Sequence, residues 1–113
     1  MLTVETLEAY GADVRAGLSR CMNNENLYLR LVGMAVEEPA IASLGEALQA
    51  GDLDKAFEES HKLKGAMGNL ALTPVYEPMN TLCELLRHKE PGDYEALYAE
   101  SVAQIEKLKT LLS

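Results

Sequence analysis

Tryptophan is absent from this chain of 113 residues, phenylalanine occurs once and cysteine twice. Cys21 and Cys83 stand in neither a redox nor a zinc-ligand spacing, which excludes a disulfide-stapled scaffold and a zinc finger. They are expected as reduced thiols in or near the core of a cytoplasmic protein. Positive charge is also scarce. Ten Lys and Arg against eighteen Asp and Glu leave a formal net charge of −8, which argues against nucleic acid as a partner, because that needs a basic face. No apolar run reaches the roughly 20 residues of a membrane span. The opening Met1-Leu2-Thr3-Val4-Glu5 lacks the basic and apolar segments of a signal peptide. No stretch alternates with period two for long enough to suggest a sheet. What is abundant is leucine and alanine, within a hydrophobic content of 48%; this favours helices and excludes a disordered chain. One domain, residues 1–113, is expected, burying about two-thirds of its unfolded surface. An initiating Met1 and single-domain length suggest a free-standing protein, and the −8 charge discourages self-association without deciding the oligomeric state.

The periodicity predicts an all-α architecture. Thr3 caps a short first helix through about Tyr10, ended by Gly11. Val14, Leu18 and Met22 recur at i, i+4 and i+8, with Gly17 weakening that segment to a ragged helix or linker. Asn23-Asn24 is a capping signal for a helix carrying Leu27, Leu31, Met34 and Val36. Pro39 either starts a new helix or bends a continuous one, and Ile41, Leu44 and Leu48 continue the stripe to Gly51. Asp52 caps the next helix. Thr73-Pro74 opens another, with Thr as cap, Pro in first position and a stripe of Val75, Met79, Leu82 and Leu86. Pro91-Gly92 breaks the chain and Asp93 caps the last helix, whose Leu97, Ile105, Leu108 and Leu112 face inward. The expectation is an antiparallel up-down four-helix bundle with a short additional N-terminal helix across one end.

One stretch carries chemistry. In the helix of Asp54 to Leu72, Leu53, Ala56, Phe57, Leu63, Met67 and Leu70 share a face, and His61 falls about 120° from its centre, pointing outward. Gly65 and Gly68 lie within about 40° of His61 on the same stripe. Each glycine costs a helix about 1 kcal/mol relative to alanine, so the bare backbone implies that something large must approach the imidazole. Lys64 leans toward the same spot and Lys62 flanks it, while no Asp or Glu occurs from Ser60 through Tyr76. An imidazole, nearby cations and cleared space suggest a site for an anionic group, phosphate first. An ordinary imidazole, with a pKa of about 6.5, is largely neutral and nucleophilic at physiological pH. Lys64 is placed to meet the oxygens of a bound phosphate, and Lys62 adds field. No phosphate-cradling glycine loop is visible, so no ATP site is expected.

The run His61-Lys62-Leu63-Lys64-Gly65-Ala66-Met67-Gly68-Asn69-Leu70 resembles the H-x-L-K-G-x-x-x-N-L core of histidine-containing phosphotransfer (HPt) domains, the relay modules of multistep phosphorelays. Asn26-Leu27-Tyr28-Leu29-Arg30-Leu31 is similar to the opening of that family's second helix, and Gly51-Asp52-Leu53 to the turn before its active helix. The likeness covers about residues 25 to 110 and departs from the commonest pattern at Ala66, where Ser is frequent. It implies that His61 accepts a phosphoryl group from the aspartate of a receiver domain and passes it to another. The partners implied are response-regulator receivers and a sensor or hybrid histidine kinase. The receiver brings the Mg²⁺, and the chain has no cofactor and no kinase activity of its own. Gly65, Gly68 and Arg87 would meet the partner, Arg87 because it matches in offset from the histidine a basic residue used by some relatives.

Other readings of these residues stand beside it. Asn69 suits structural support better than chemistry, and Glu58, at i−3 of His61, is either a solvated carboxylate or a partner of Nδ1. His88 with Arg87 and Lys89 reads as positive charge at a helix C-terminus. Zinc held by His61, His88, Cys21 and Cys83 has no recognisable spacing. The alternative for the whole chain is a helical bundle that binds receivers, or acts as an adaptor, without carrying phosphate.

Overall fold

The computed structural model describes residues 2–112, which form seven helices and no strand. They are α1 (Val4–Tyr10), α2 (Val14–Arg20), α3 (Glu25–Ala35), α4 (Ala40–Ala50), α5 (Leu53–Asn69), α6 (Thr73–Arg87) and α7 (Tyr94–Leu112). Most begin at a side chain that takes up a free backbone N–H. Thr3 and Thr6 form a reciprocal capping box on α1, and Asp13, Asn24 and Asp52 each accept from the N–H three residues on. Asp93 does the same at the start of α7. Pro39 starts a new helix, standing at the N-cap of α4, while α6 opens one residue earlier than expected, with Leu72 as cap and Pro74 inside the first turn.

The division into elements is finer than the sequence suggested. The segment around Gly17 is a regular seven-residue helix, and the stretch from Glu25 to Ala50 is two helices rather than one bent one. Helix α3 also presents a different face. Tyr28, Val32 and Ala35 are buried, Leu27 and Leu31 are half-buried, and Met34 is 62% exposed. Met22 lies beyond the end of α2 and is 84% exposed, not part of its stripe.

Helix α5 packs against α4 on one side and α6 on the other, α6 packs against α7, and α7 returns to touch α4. Leu44, Leu63, Met67, Met79, Leu82, Leu86, Ile105 and Leu108 fill the space between these four, all essentially inaccessible. Each such side chain contributes about 1.5–3 kcal/mol relative to an exposed one. Cys21 and Cys83 are free and buried.

Helices α2 and α3 are tied to the C-terminal end of α5. The buried Tyr28 hydroxyl donates to the Leu70 carbonyl at 2.8 Å, and the Asp13 N–H donates to the Ala71 carbonyl at 2.9 Å. Gly17 is what admits the Tyr28 ring, since a Cβ there would stand 2.5 Å from it. Desolvation, with smaller contributions from the charges of Cys21 and Asp13, pushes the Tyr28 phenol up to about 12. The neutral hydrogen-bonded form is therefore favoured. Among the described residues, no helix is long and apolar enough to cross a membrane.

Candidate functional site

His61 stands midway along α5, on the side facing away from the core, and its side chain is exposed. Leu63 and Met67 of the same helix are completely buried; they lock the helix rotation that turns residue 61 outward. One turn before it, the Phe57 ring lies 5.7 Å from the imidazole, centroid to centroid, tilted by 31°. The Arg87 guanidinium of α6 sits over that same Phe57 ring at 4.9 Å, a cation–π contact. Arg87 therefore lies next to the histidine by way of Phe57. Among the described residues the imidazole has no hydrogen-bond partner, and Glu58 is exposed with no bond to it.

One turn after His61, Gly65 is open: a Cβ added there would find nothing within 4 Å. Gly68 is different. Its Cβ would stand 2.9 Å from Cε1 and 3.0 Å from Cδ1 of Tyr76, so this glycine admits the α6 ring and is half-covered by it. The expectation of two bare glycines is corrected to one, because the Tyr76 ring of α6 stands against Gly68.

Neither lysine is a free cation. Lys64 Nζ lies 3.1 Å from Glu84 Oε1 of α6, and Lys62 Nζ lies 3.3 Å from Glu59 Oε1. Arg87 Nε also reaches Glu84, at 3.4 Å, and His88 Nε2 lies 3.9 Å from its other oxygen. The hydrogen bond from Lys64, with the charge of Arg87 beside it, holds the Glu84 carboxyl below its ordinary value, against an opposing push from desolvation. The stretch from Ser60 to Tyr76 is free of acid in sequence, but the fold carries Glu84 into it. Its i,i+3 and i,i+4 relation to Arg87 and His88 was legible; its reach across 20 residues to Lys64 depends on the register of α5 against α6.

A cleft of about 550 Å³ opens beside the imidazole. Its floor is His61, Lys64, Gly65, Gly68 and Asn69 of α5; Tyr76 and Thr73 of α6 form one wall, and Asp13, Ala16 and Arg20 of α2 another. Lys62 and Arg87 lie outside it. Arg20 Nη1 donates to the carbonyls of Gly68 at 2.6 Å and Asn69 at 3.2 Å. The second of these bonds is to the Asn69 main chain, and its side-chain amide makes no hydrogen bond among the described residues. Arg20 is the residue that sequence reasoning missed, and because it stands 48 positions before Gly68 no local pattern signals it. Among the described residues, no group of three or more His, Cys, Asp or Glu is placed to hold a metal ion.

The family model of the Hpt domain matches residues 34–113, from the end of α3 through the His61 helix to the C-terminus. The chain belongs to the Hpt domain family. As an Hpt domain it is a phosphotransfer carrier of phosphorelays, a class that works with receiver domains and histidine kinases and is not itself a kinase. No curated protein and no solved structure matches the chain. Helices α1 and α2 and most of α3 lie before the matched span, so the wall of the cleft that carries Arg20 is contributed by sequence outside it.

Proposed function

We propose that His61 is the phosphorylated residue, taking the phosphoryl group from the aspartate of one receiver domain and passing it to another. The observation that carries this reading is an exposed imidazole beside the open backbone of Gly65, within the span that the family model matches. The outer ring nitrogen, Nε2, attacks phosphorus; the aspartyl oxygen leaves with the bonding electron pair, and the reverse step discharges the group to the next aspartate. Transfer through a loose transition state spreads charge over three equatorial oxygens, so positioning and cations do most of the work. Lys64 supplies the nearest cation once its ammonium swings from Glu84, and Lys62 adds field from the rim. Gly65 lets the donor surface reach bonding distance, Gly68 lets α6 pack close beneath it, and Arg87 meets the partner on the Phe57 side. Asn69 supports the end of the helix. The Mg²⁺ and most of the catalytic groups belong to the receiver.

On this reading α4 to α7 form the antiparallel up-down four-helix bundle, with α1 to α3 packed over one end. The chain acts as one domain, a monomer in the cytoplasm. The test is incubation with a phosphorylated receiver followed by a search for label that is acid-labile and stable to alkali. His61→Gln is expected to abolish it with helicity unchanged, and label persisting on that variant would move the site elsewhere.

A further inference from the structure

The cations around His61 are not equivalent. Lys64 and Arg87 share Glu84, and Lys62 is held by Glu59. Arg20 lies in the wall of the same cleft, is exposed, and among the described residues has no carboxylate within ion-pair distance. Both of its hydrogen bonds use Nη1, which leaves Nη2 and Nε, two donors of a planar fork that suits a carboxylate.

Helix capping alone does not account for it. The Gly68 carbonyl already accepts the Ala71 N–H at 3.0 Å, and a carbonyl pair at a helix end offers only part of a unit charge. Direct contact with the phosphoryl group is ruled out by length. Gly68 and Asn69 lie seven and eight residues beyond His61, which at about 1.5 Å per residue places the anchored guanidinium roughly 10–12 Å along the helix. A group bonded to the imidazole does not span that gap. A docked protein surface does, and the stretch between the two, at Gly65, is open.

We propose that Arg20 is a partner-docking residue, whose guanidinium binds a carboxylate on the receiver surface that approaches His61. The inference rests on the relay reading and extends it to helix α2, ahead of the span shared with the family. Asp13, in the same wall, caps α2 through Ala16. It repels a partner carboxylate that misses Arg20, so the pair reads position as well as charge.

The experiment uses receiver domains of the source organism phosphorylated by acetyl phosphate, and in parallel phosphoramidate, a small donor that needs no docking. Wild type, Arg20→Gln and Arg20→Lys are compared. Arg20→Gln is expected to raise KM for receiver transfer about tenfold and to flatten its salt dependence, with kcat and phosphoramidate labelling unchanged. Arg20→Lys keeps the charge but loses the fork, and is expected to raise KM about threefold; it serves as the check if the Gln variant melts below the assay temperature. An unchanged KM, or a parallel loss with both donors, overturns the inference. If wild type takes phosphate from neither donor, the relay reading itself fails; if wild type relays and the Arg20 variants relay equally well, only the role of Arg20 fails.

Discussion

At the scale of single residues the site is a balance of charges, and the balance ranks the lysines. Lys64 lies in the cleft with 23% of its side chain exposed, so its stem is packed; on the proposed relay its head would exchange Glu84 for phosphate oxygens. Lys62 is 64% exposed, outside the cleft, and bound to its own helix neighbour. Lys64→Ala should slow transfer from a phosphorylated receiver by about tenfold or more, as loss of one charged donor to a transition-state oxyanion does. Lys62→Ala should change it by less than about threefold, in line with the small worth of an exposed ion pair. Rapid-quench single-turnover rates separate the two; equal losses would show that field, not contact, is what the lysines supply.

At the scale of the helix, Gly65 and Gly68 look alike in sequence and differ in physics. Alanine at Gly65 meets open space and gains about 1 kcal/mol of helix propensity. Gly65→Ala should therefore raise the melting temperature by a few degrees (about 4–8 °C per kcal/mol for a domain near this size). Gly65→Gln should leave the fold intact and block transfer, because its side chain occupies the approach to His61. Alanine at Gly68 drives into Tyr76, and overpacking of about 1–3 kcal/mol exceeds the propensity gain, so Gly68→Ala should melt lower than wild type. Thermal melts and transfer assays on the three variants check both claims. The tie of α3 to α5 has its own signature. The Tyr28 phenol ionises at about 12 when folded against an ordinary 10.0, so its stabilising effect is complete below pH 10 and is lost as pH rises toward 12. Tyr28→Phe should cost about 1–3 kcal/mol at neutral pH, through the unpartnered Leu70 carbonyl, and should weaken the loss of stability between pH 10 and 12. Urea titrations at pH 7, 10 and 11.5 read both effects.

At the scale of the molecule, what was legible in the sequence is what local chemistry decides. Thr3, Asn24, Asp52 and Asp93 mark helix starts because a side-chain oxygen beside free N–H groups is a local arrangement. Val75, Met79, Leu82 and Leu86 mark a buried stripe because the rest of α6 is polar enough to make the choice unambiguous. Helix α3 has apolar side chains nearly all round, at Leu27, Leu29, Leu31, Val32 and Met34, so periodicity alone does not select the face that Tyr28 and Val32 in fact bury. The outward turn of His61 was legible for the same reason as α6. The partners of its neighbours were not: Glu84 on Lys64, Tyr76 over Gly68 and Arg20 across the cleft are all long-range, and depend on how one helix slides against the next. The −8 charge does not describe the site either, where Arg20 and Lys64 share a cleft with Asp13, and Glu84 reaches Lys64 from α6. The chain has two histidines, and they give the most direct measurement. After exchange with a phosphorylated receiver, tandem mass spectrometry at neutral pH should find the phosphoryl group on His61 and none on His88. Label on His88, or a chain that stays unlabelled while the receiver is competent toward another carrier, would contradict the account.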